Sequence, residues 1–252
     1  MRNIIDLNCD LGESYFDKII GNDSEIIPFI SSCNIACGMH GGDPLTIQNT
    51  VDLALKYNLN IGAHPSFPDL ENFGRKHMHL SAEELKACLR FQIGAVLQVT
   101  SLRGGRLRHE KPHGALYNAA AKDFELATNI VSVLNEFNQG LCLLGMANSE
   151  MEKAAKLCGV EFIPEVFADR NYTDNGELVA RSLSHAVIKD ENEVAKRCLK
   201  LVTENKIITE NNIELNIKGQ SICVHGDTSN ATNLVKSINE TFRNHEIKTH
   251  SF

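Results

Sequence analysis

The sequence predicts an α/β protein whose parallel strands close, or nearly close, into a TIM-like barrel. Three observations point there. Strand-like and helix-like stretches alternate from end to end, as in repeated βα units. Six apolar runs end in clusters of glycine, histidine and acid: Asp6 to Glu13 (DLNCDLGE), Asn34 to Asp43 (NIACGMHGGD), Gly62 to Asp69 (GAHPSFPD), Lys111 to Asn118 (KPHGALYN), Glu165 to Tyr172 (EVFADRNY) and Cys223 to Asp227 (CVHGD). A barrel rim collects such clusters from successive strand ends, whereas a doubly wound open sheet gathers its ligand residues mainly at one crevice. Third, 252 residues without a linker suit one barrel, so the whole chain, 1–252, is expected to be a single domain.

Taken in order, the first strand is expected over Asn3–Asn8, and later ones over Ser31–Ala36, Leu59–Ala63, Arg108–Lys111, Leu141–Leu144, Val160–Ile163 and Ser221–Val224. Asp43 caps a helix opened by Pro44, with Ile47, Val51, Ala54 and Leu55 on one face. Ser81 with Glu84 and Ser149 with Glu152 read as capping boxes. The first opens a stripe of Leu85, Cys88, Leu89, Ile93, Val96 and Leu97; near the C-terminus Ala231, Leu234, Val235, Ile238 and Phe242 form another. Asp227, before Thr228 and Ser229, is a further cap candidate. Ile213–Ile217 breaks the alternation. Its strand periodicity, followed by Lys218-Gly219-Gln220, predicts a hairpin with the last strand, inserted on the barrel.

The formal charge of -7 argues against nucleic acid and anionic membrane as partners and favours a small-molecule substrate. Polar residues appear too early for a signal peptide, and no run approaches a membrane span, so the expected location is cytoplasmic. The eight cysteines are irregularly spaced, which suits buried reduced thiols better than disulfides or a structural zinc site.

The strand ends carry the chemistry. His40, His64, His113 and His225 lie there beside glycine or proline, which marks them as candidates for catalysis or binding; His77, His79, His109, His185, His245 and His250 lack that context and are expected at the surface. Asp6, Asn8 and Asp10 alternate along the first strand, so all three share one face. If that face is the barrel interior, the carboxylates need partners. Asp6 fits a structural network as well as a functional role, whereas Asp10, nearer the loop, is the candidate base or ligand. Two roles stand for Lys111: stabilising an oxyanion or phosphoryl group, or pairing with Glu165 or Asp169 from another strand end. Arg75 and Arg170 could each grip a carboxylate with a bidentate fork. The chain has no P-loop, dinucleotide-binding fingerprint, zinc-protease helix motif or nucleophile elbow.

In their order and spread over nearly the whole chain, DLNCDLGE, NIACGMHGGDP, IGAHPSFPD, FGRK, KPHGALYN, EVFADRNY and CVHGD resemble the LamB/YcsF family, the A subunit of the bacterial ATP-dependent 5-oxoprolinase. The resemblance implies an irregular seven-stranded (β/α) barrel of the glycoside hydrolase/deacetylase superfamily. It also implies ring opening of 5-oxoproline (pyroglutamate) to L-glutamate with ATP as co-substrate, and partner subunits B and C. The chain departs from the family pattern at Met39, Gly41, Lys76 and Glu110, the last standing where an apolar residue is usual. Metal-dependent deacetylases of the wider superfamily use an aspartate from the first strand and two later histidines, for which Asp10, His64 and His113 are the counterparts by motif position.

On this resemblance the expected catalytic residues are Asp10, His64, His113 and Lys111. The expected substrate-binding residues are Asn8, His40, Arg75, Asp169, Arg170 and His225. Two other readings remain: a metal-dependent amidohydrolase or deacetylase using Asp10, His64 and His113 as ligands, and a non-catalytic subunit that hands substrate to partners.

Overall fold

The computed structural model describes residues 4–228 and 230–252. Its strands are β1 (Ile4–Leu11), β2 (Ser32–Ala36), β3 (Asn60–His64), β4 (Leu107–Glu110), β5 (Cys142–Met146), β6 (Phe162–Phe167), β7 (Lys206–Ile208), β8 (Glu214–Asn216), β9 (Ser221–Val224) and β10 (Lys248–Thr249). The first six and β9 stand in parallel order, and β9 pairs with both β6 and β1, closing a seven-stranded TIM-like barrel. Closure decides against the open doubly wound sheet. The short β10 pairs with the first two described residues of β1.

Helices α1 (Asp23–Ile26), α2 (Pro44–Lys56), α3 (Ala82–Leu102), α4 (Gly114–Ala120), α5 (Phe124–Glu136), α6 (Glu150–Cys158), α7 (Glu191–Glu204) and α8 (Ala231–Asn244) flank the ring. Alternation along the strands divides the interior into two different cores. Outward-facing Leu7, Cys9, Ile35, Ile61, Leu143 and Ile222 join buried helix residues such as Val51, Leu89, Ile130 and Leu234 in one apolar cluster. The barrel lumen, by contrast, is largely polar: Asp6, Asn8, Asp10, Ser32, Asn34, His109, Lys111, Glu165 and Ser221 are all buried. Each of these residues has at least one side-chain partner on another strand or strand end, which offsets the cost of burying it, although His109 Nδ1 has none among the described residues.

Asp6 accepts from Ser31 (2.7 Å), Ser32 (2.6 Å) and Ser221. Burial pushes its carboxyl up to about 6, against the three hydroxyls that favour the charge. Asp6 is therefore the structural knot between β1, β2 and β9.

Several expectations are corrected. His109, expected at the surface, is sealed in the lumen, 2.7 Å from Asn34 Oδ1. Its place exists because Gly62 on β3 has no side chain: a Cβ there would overlap the imidazole. The segment around Glu214 pairs antiparallel with β7, not with the last strand. β9 has no free edge for it, being hydrogen-bonded on both sides within the ring. Ser81 and Glu84 form their capping box, but Ser149 makes no side-chain cap bond, and Glu152 instead accepts from Asn148 N. Helix α8 begins after Asn230, and the Asp227 side chain is used elsewhere; Ser229, like Asn3 of the expected first strand, lies outside the described residues.

Candidate active site

The carboxyl ends of the strands surround a cavity of about 870 Å³. Lys111, from the turn after β4, stands at its floor and is 2% exposed. Its ammonium lies 2.8 Å from Asp10 Oδ1 and 2.9 Å from Glu165 Oε1, and 3.2 Å from Cys223 Sγ. Burial opposes the lysine's charge, but Asp10 and Glu165 more than offset it and hold the group well above its usual range. Asp10 answers in the same way: burial works against its charge, yet His64 and Lys111 hold the carboxylate well below its usual range. Tyr117 on α4 donates to Glu165 (2.8 Å), and Asn8 donates to the other oxygen of the same carboxylate (2.9 Å).

A histidine cluster lies beside this pair. His64 Nδ1 is 2.7 Å from the Lys111 carbonyl, and His113 Nε2 is 2.9 Å from the Phe73 carbonyl. A carbonyl only accepts, so both nitrogens carry hydrogen. The opposite nitrogens, His64 Nε2 and His113 Nδ1, then face each other at 2.9 Å. Two lone pairs repel in such a gap, and a cation relieves them. A proton does so with Asp10 Oδ2, 3.4 Å from His64 Nε2, as its counter-ion. A metal ion would do so too, with each ring oriented through its other nitrogen by a carbonyl, as ligating histidines usually are.

The surrounding groups fit the metal. His40 stacks on His113 at 3.8 Å, is fully buried, and among the described residues has no hydrogen-bond partner at either ring nitrogen. Glu13 Oε1 lies 3.6 Å from His40 Nε2 and 3.7 Å from His113 Nδ1. Ligand atoms of Glu13, His40, His64 and His113 all fall within 4.8 Å of one another. Without the ion, burial keeps His40 and His113 well below the usual imidazole range and, with Asp10 and Asp227, drives Glu13 well above the usual carboxyl range. A divalent cation takes imidazoles in the neutral form that burial already favours, and it would draw the proton from Glu13.

The loop after β3 covers these rings. Gly74 has φ +65°, and a Cβ there would press on both His113 and His40, so the FGRK turn needs glycine to approach so closely. On the other side of the cavity, His225 Nδ1 lies 2.9 Å from Asp169 Oδ1, and its ring stacks on Phe167. Asp169 thus fixes the tautomer, leaving Nε2 as the basic nitrogen.

Residues 5–252 match the model of the LamB/YcsF family. The chain belongs to the LamB/YcsF family. It is 45% identical to the A subunit of 5-oxoprolinase from Campylobacter jejuni subsp. jejuni (strain 81-176), with 97% of this chain and 96% of that protein aligned. It is also 45% identical to the corresponding 5-oxoprolinase A subunit of Bacillus mycoides (strain KBAB4), over 95% of this chain and 94% of that one. Among solved structures it resembles the lactam utilization protein from Thermus thermophilus, at 38% identity and a TM-score of 0.93, with both chains wholly covered. A family 4 carbohydrate esterase from Streptomyces lividans shares the fold alone, at 12% identity and a TM-score of 0.51 over 98% of this chain and 91% of that one.

In this LamB/YcsF chain, Asp10, His64, Arg75, Lys111, His113, Arg170 and His225 all line the cavity. Asn8 and His40 are buried behind its lining, and Asp169 acts through His225. The metal-capable grouping differs from the expected trio: His64 and His113 join Glu13 and His40, while Asp10 groups with Cys223 and His225. Arg170 is also differently employed, donating to the Val179 and Ala186 carbonyls. Glu13, Tyr117, Arg181 and Asp227 were not singled out as site residues. Glu13, Tyr117 and Asp227 stand inside the DLGE, ALYN and CVHGD motifs, so motif membership is the available signal; Arg181 lies outside every motif.

Proposed function

We propose that this chain is the A subunit of an ATP-dependent 5-oxoprolinase, opening 5-oxoproline to L-glutamate together with partner subunits B and C. The observation that supports it most is the 45% identity, over nearly the full length, to proteins named as the A subunit of 5-oxoprolinase. The cavity's chemistry agrees with that reading.

A five-membered lactam resists hydrolysis because its nitrogen lone pair is delocalised into the carbonyl. Transfer of the ATP γ-phosphoryl group to the amide oxygen makes the ring carbon electrophilic. Water directed by Asp10 with His64 or His113 adds there, and the ring C–N bond breaks with the nitrogen taking up a proton. The phosphate then leaves in a second hydrolysis. Lys111, fixed between Asp10 and Glu165, offsets negative charge developing on the oxygen. The test is glutamate formation from 5-oxoproline and ATP by this chain alone, by the partners alone and by the mixture. Turnover only in the mixture supports the reading, and a mixture without turnover refutes it.

The facing lone pairs of His64 and His113 favour a second reading, a metal-dependent amidohydrolase in which Glu13, His40, His64 and His113 hold a divalent ion. Such an ion would supply Lewis-acid polarisation of a carbonyl and acidify water. Elemental analysis of the purified chain separates the two readings: a stoichiometric metal with ATP-independent hydrolysis of an amide favours the second.

A further inference from the structure

At the solvent-facing end of the cavity, two arginines share one carboxylate oxygen. Asp227 Oδ2 accepts from Arg75 Nη2 and, at 3.2 Å, from Arg181 Nη1. The three residues come from different places: the loop after β3, the segment between β6 and α7, and the loop after β9. Arg75 and Arg181 are 41% and 30% exposed at their side chains, against 2% for Lys111, so they stand where a ligand enters.

Charge around them is unbalanced. Behind Arg181 lies Arg170, buried and hydrogen-bonded to backbone carbonyls, with its guanidinium lowered to about 10 by burial and by the charge of Arg181. Deeper in, Lys111 faces two carboxylates, Asp10 and Glu165; Lys122 is paired with Glu177. Three guanidinium groups therefore face two carboxylates, Asp227 and Asp169, and Asp169 is engaged by His225. The cationic excess is thus confined to the mouth, around Arg75 and Arg181, where it can meet one carboxylate of an entering ligand. Two guanidinium groups on a single oxygen also fall short of the paired fork that a carboxylate can accept through both oxygens.

We propose that Arg181, acting with Arg75, binds the carboxylate of the substrate, and that Asp227 is an internal stand-in which holds the two arginines together until substrate displaces it. Arg170 is the positioning residue, tying the segment that carries Arg181 to the barrel through Val179 and Ala186. This rests on the reading of the cavity as a 5-oxoproline site.

Calorimetric titration tests it, with three probes: 5-oxoproline, 2-pyrrolidinone, which is the same lactam without the carboxylate, and inorganic phosphate. Arg181→Gln is expected to weaken 5-oxoproline binding on the order of tenfold or more and to leave 2-pyrrolidinone unchanged, as loss of a charge-assisted hydrogen bond implies. Asp227→Asn is expected to tighten 5-oxoproline binding, since it removes the competitor. Normal 5-oxoproline binding by Arg181→Gln overturns the assignment, and weaker binding by Asp227→Asn overturns the stand-in. Arginine-dependent binding of phosphate without any of 5-oxoproline by the wild-type chain keeps an anion site, but refutes both the carboxylate and the 5-oxoproline reading. Circular dichroism melting of both variants confirms that the fold is retained.

Discussion

His64 Nε2 and His113 Nδ1 face each other at 2.9 Å, while the other nitrogen of each ring is held by a backbone carbonyl. The pair offers two facing lone pairs to a cation, and Glu13 and His40 stand within reach of the same point. Zinc at a hundredfold excess over its dissociation constant is expected to stabilise the protein by about 2.7 kcal/mol. His113→Ala should abolish that stabilisation. A thermal shift with zinc that survives in His113→Ala would place the ion elsewhere.

Asp10→Asn keeps the shape of the side chain but removes the charge that pairs with Lys111 and faces His64. Turnover in the reconstituted assay is expected to fall at least about 100-fold with the fold intact. Near-normal turnover would remove Asp10 from the chemistry.

Lys111→Met leaves Asp10 and Glu165 buried without their shared cation. Losing one partner of a buried ionic group typically costs about 3–5 kcal/mol. Adding Glu165→Gln should recover part of the stability in urea unfolding, though not activity. If the single variant is as stable as wild type, the lysine does not hold the lumen together.

Glu110 points into the apolar layer outside β4, fully buried, and among the described residues neither carboxylate oxygen has a hydrogen-bond partner. Burial drives its carboxyl well above the ordinary 4.5. The folded state therefore holds a proton that the unfolded chain gives up, so this residue's contribution to stability falls as pH rises above about 4.5, by up to about 1.4 kcal/mol per unit until the folded value is reached. Glu110→Leu should stabilise the protein, more at pH 8 than at pH 6. A pH-independent difference in unfolding free energy would contradict this.

His109→Ala is expected to destabilise by about 2–4 kcal/mol, because it opens a hole against Gly62 and strands Asn34 Oδ1. His245→Ala and His250→Ala, whose exposed rings bond to the nearby backbone carbonyls of Thr241 and Ser251, should stay within about 0.5 kcal/mol. Equal losses from all three would mean that burial does not distinguish these histidines.

Much of the site was legible because strand ends are local in sequence. The period-two spacing of Asp6, Asn8 and Asp10 foretold a common buried face, and glycine or proline beside His64 and His113 foretold their loops. His109 escaped because it lies within its strand, where local context gives no sign of the space that Gly62 leaves on the neighbouring strand of the ring. Arg181 escaped because its meaning comes from Asp227, 46 residues on.

The βα alternation, the barrel class, the ordered motifs and the helix caps at Asp43 and Ser81 could be read along the chain, because they rest on periodicity, propensity and hydrogen bonds within a few residues. The folded chain was needed to show that Glu13 and His40 join His64 and His113, that of Glu165 and Asp169 it is Glu165 which shares Lys111 with Asp10, and that β8 pairs with β7. Those outcomes depend on ring closure, which brings Ser221 to Asp6 across 215 positions of sequence. In that closed lumen each buried polar group must take whichever partner the neighbouring strands present, since water is no longer there to satisfy it.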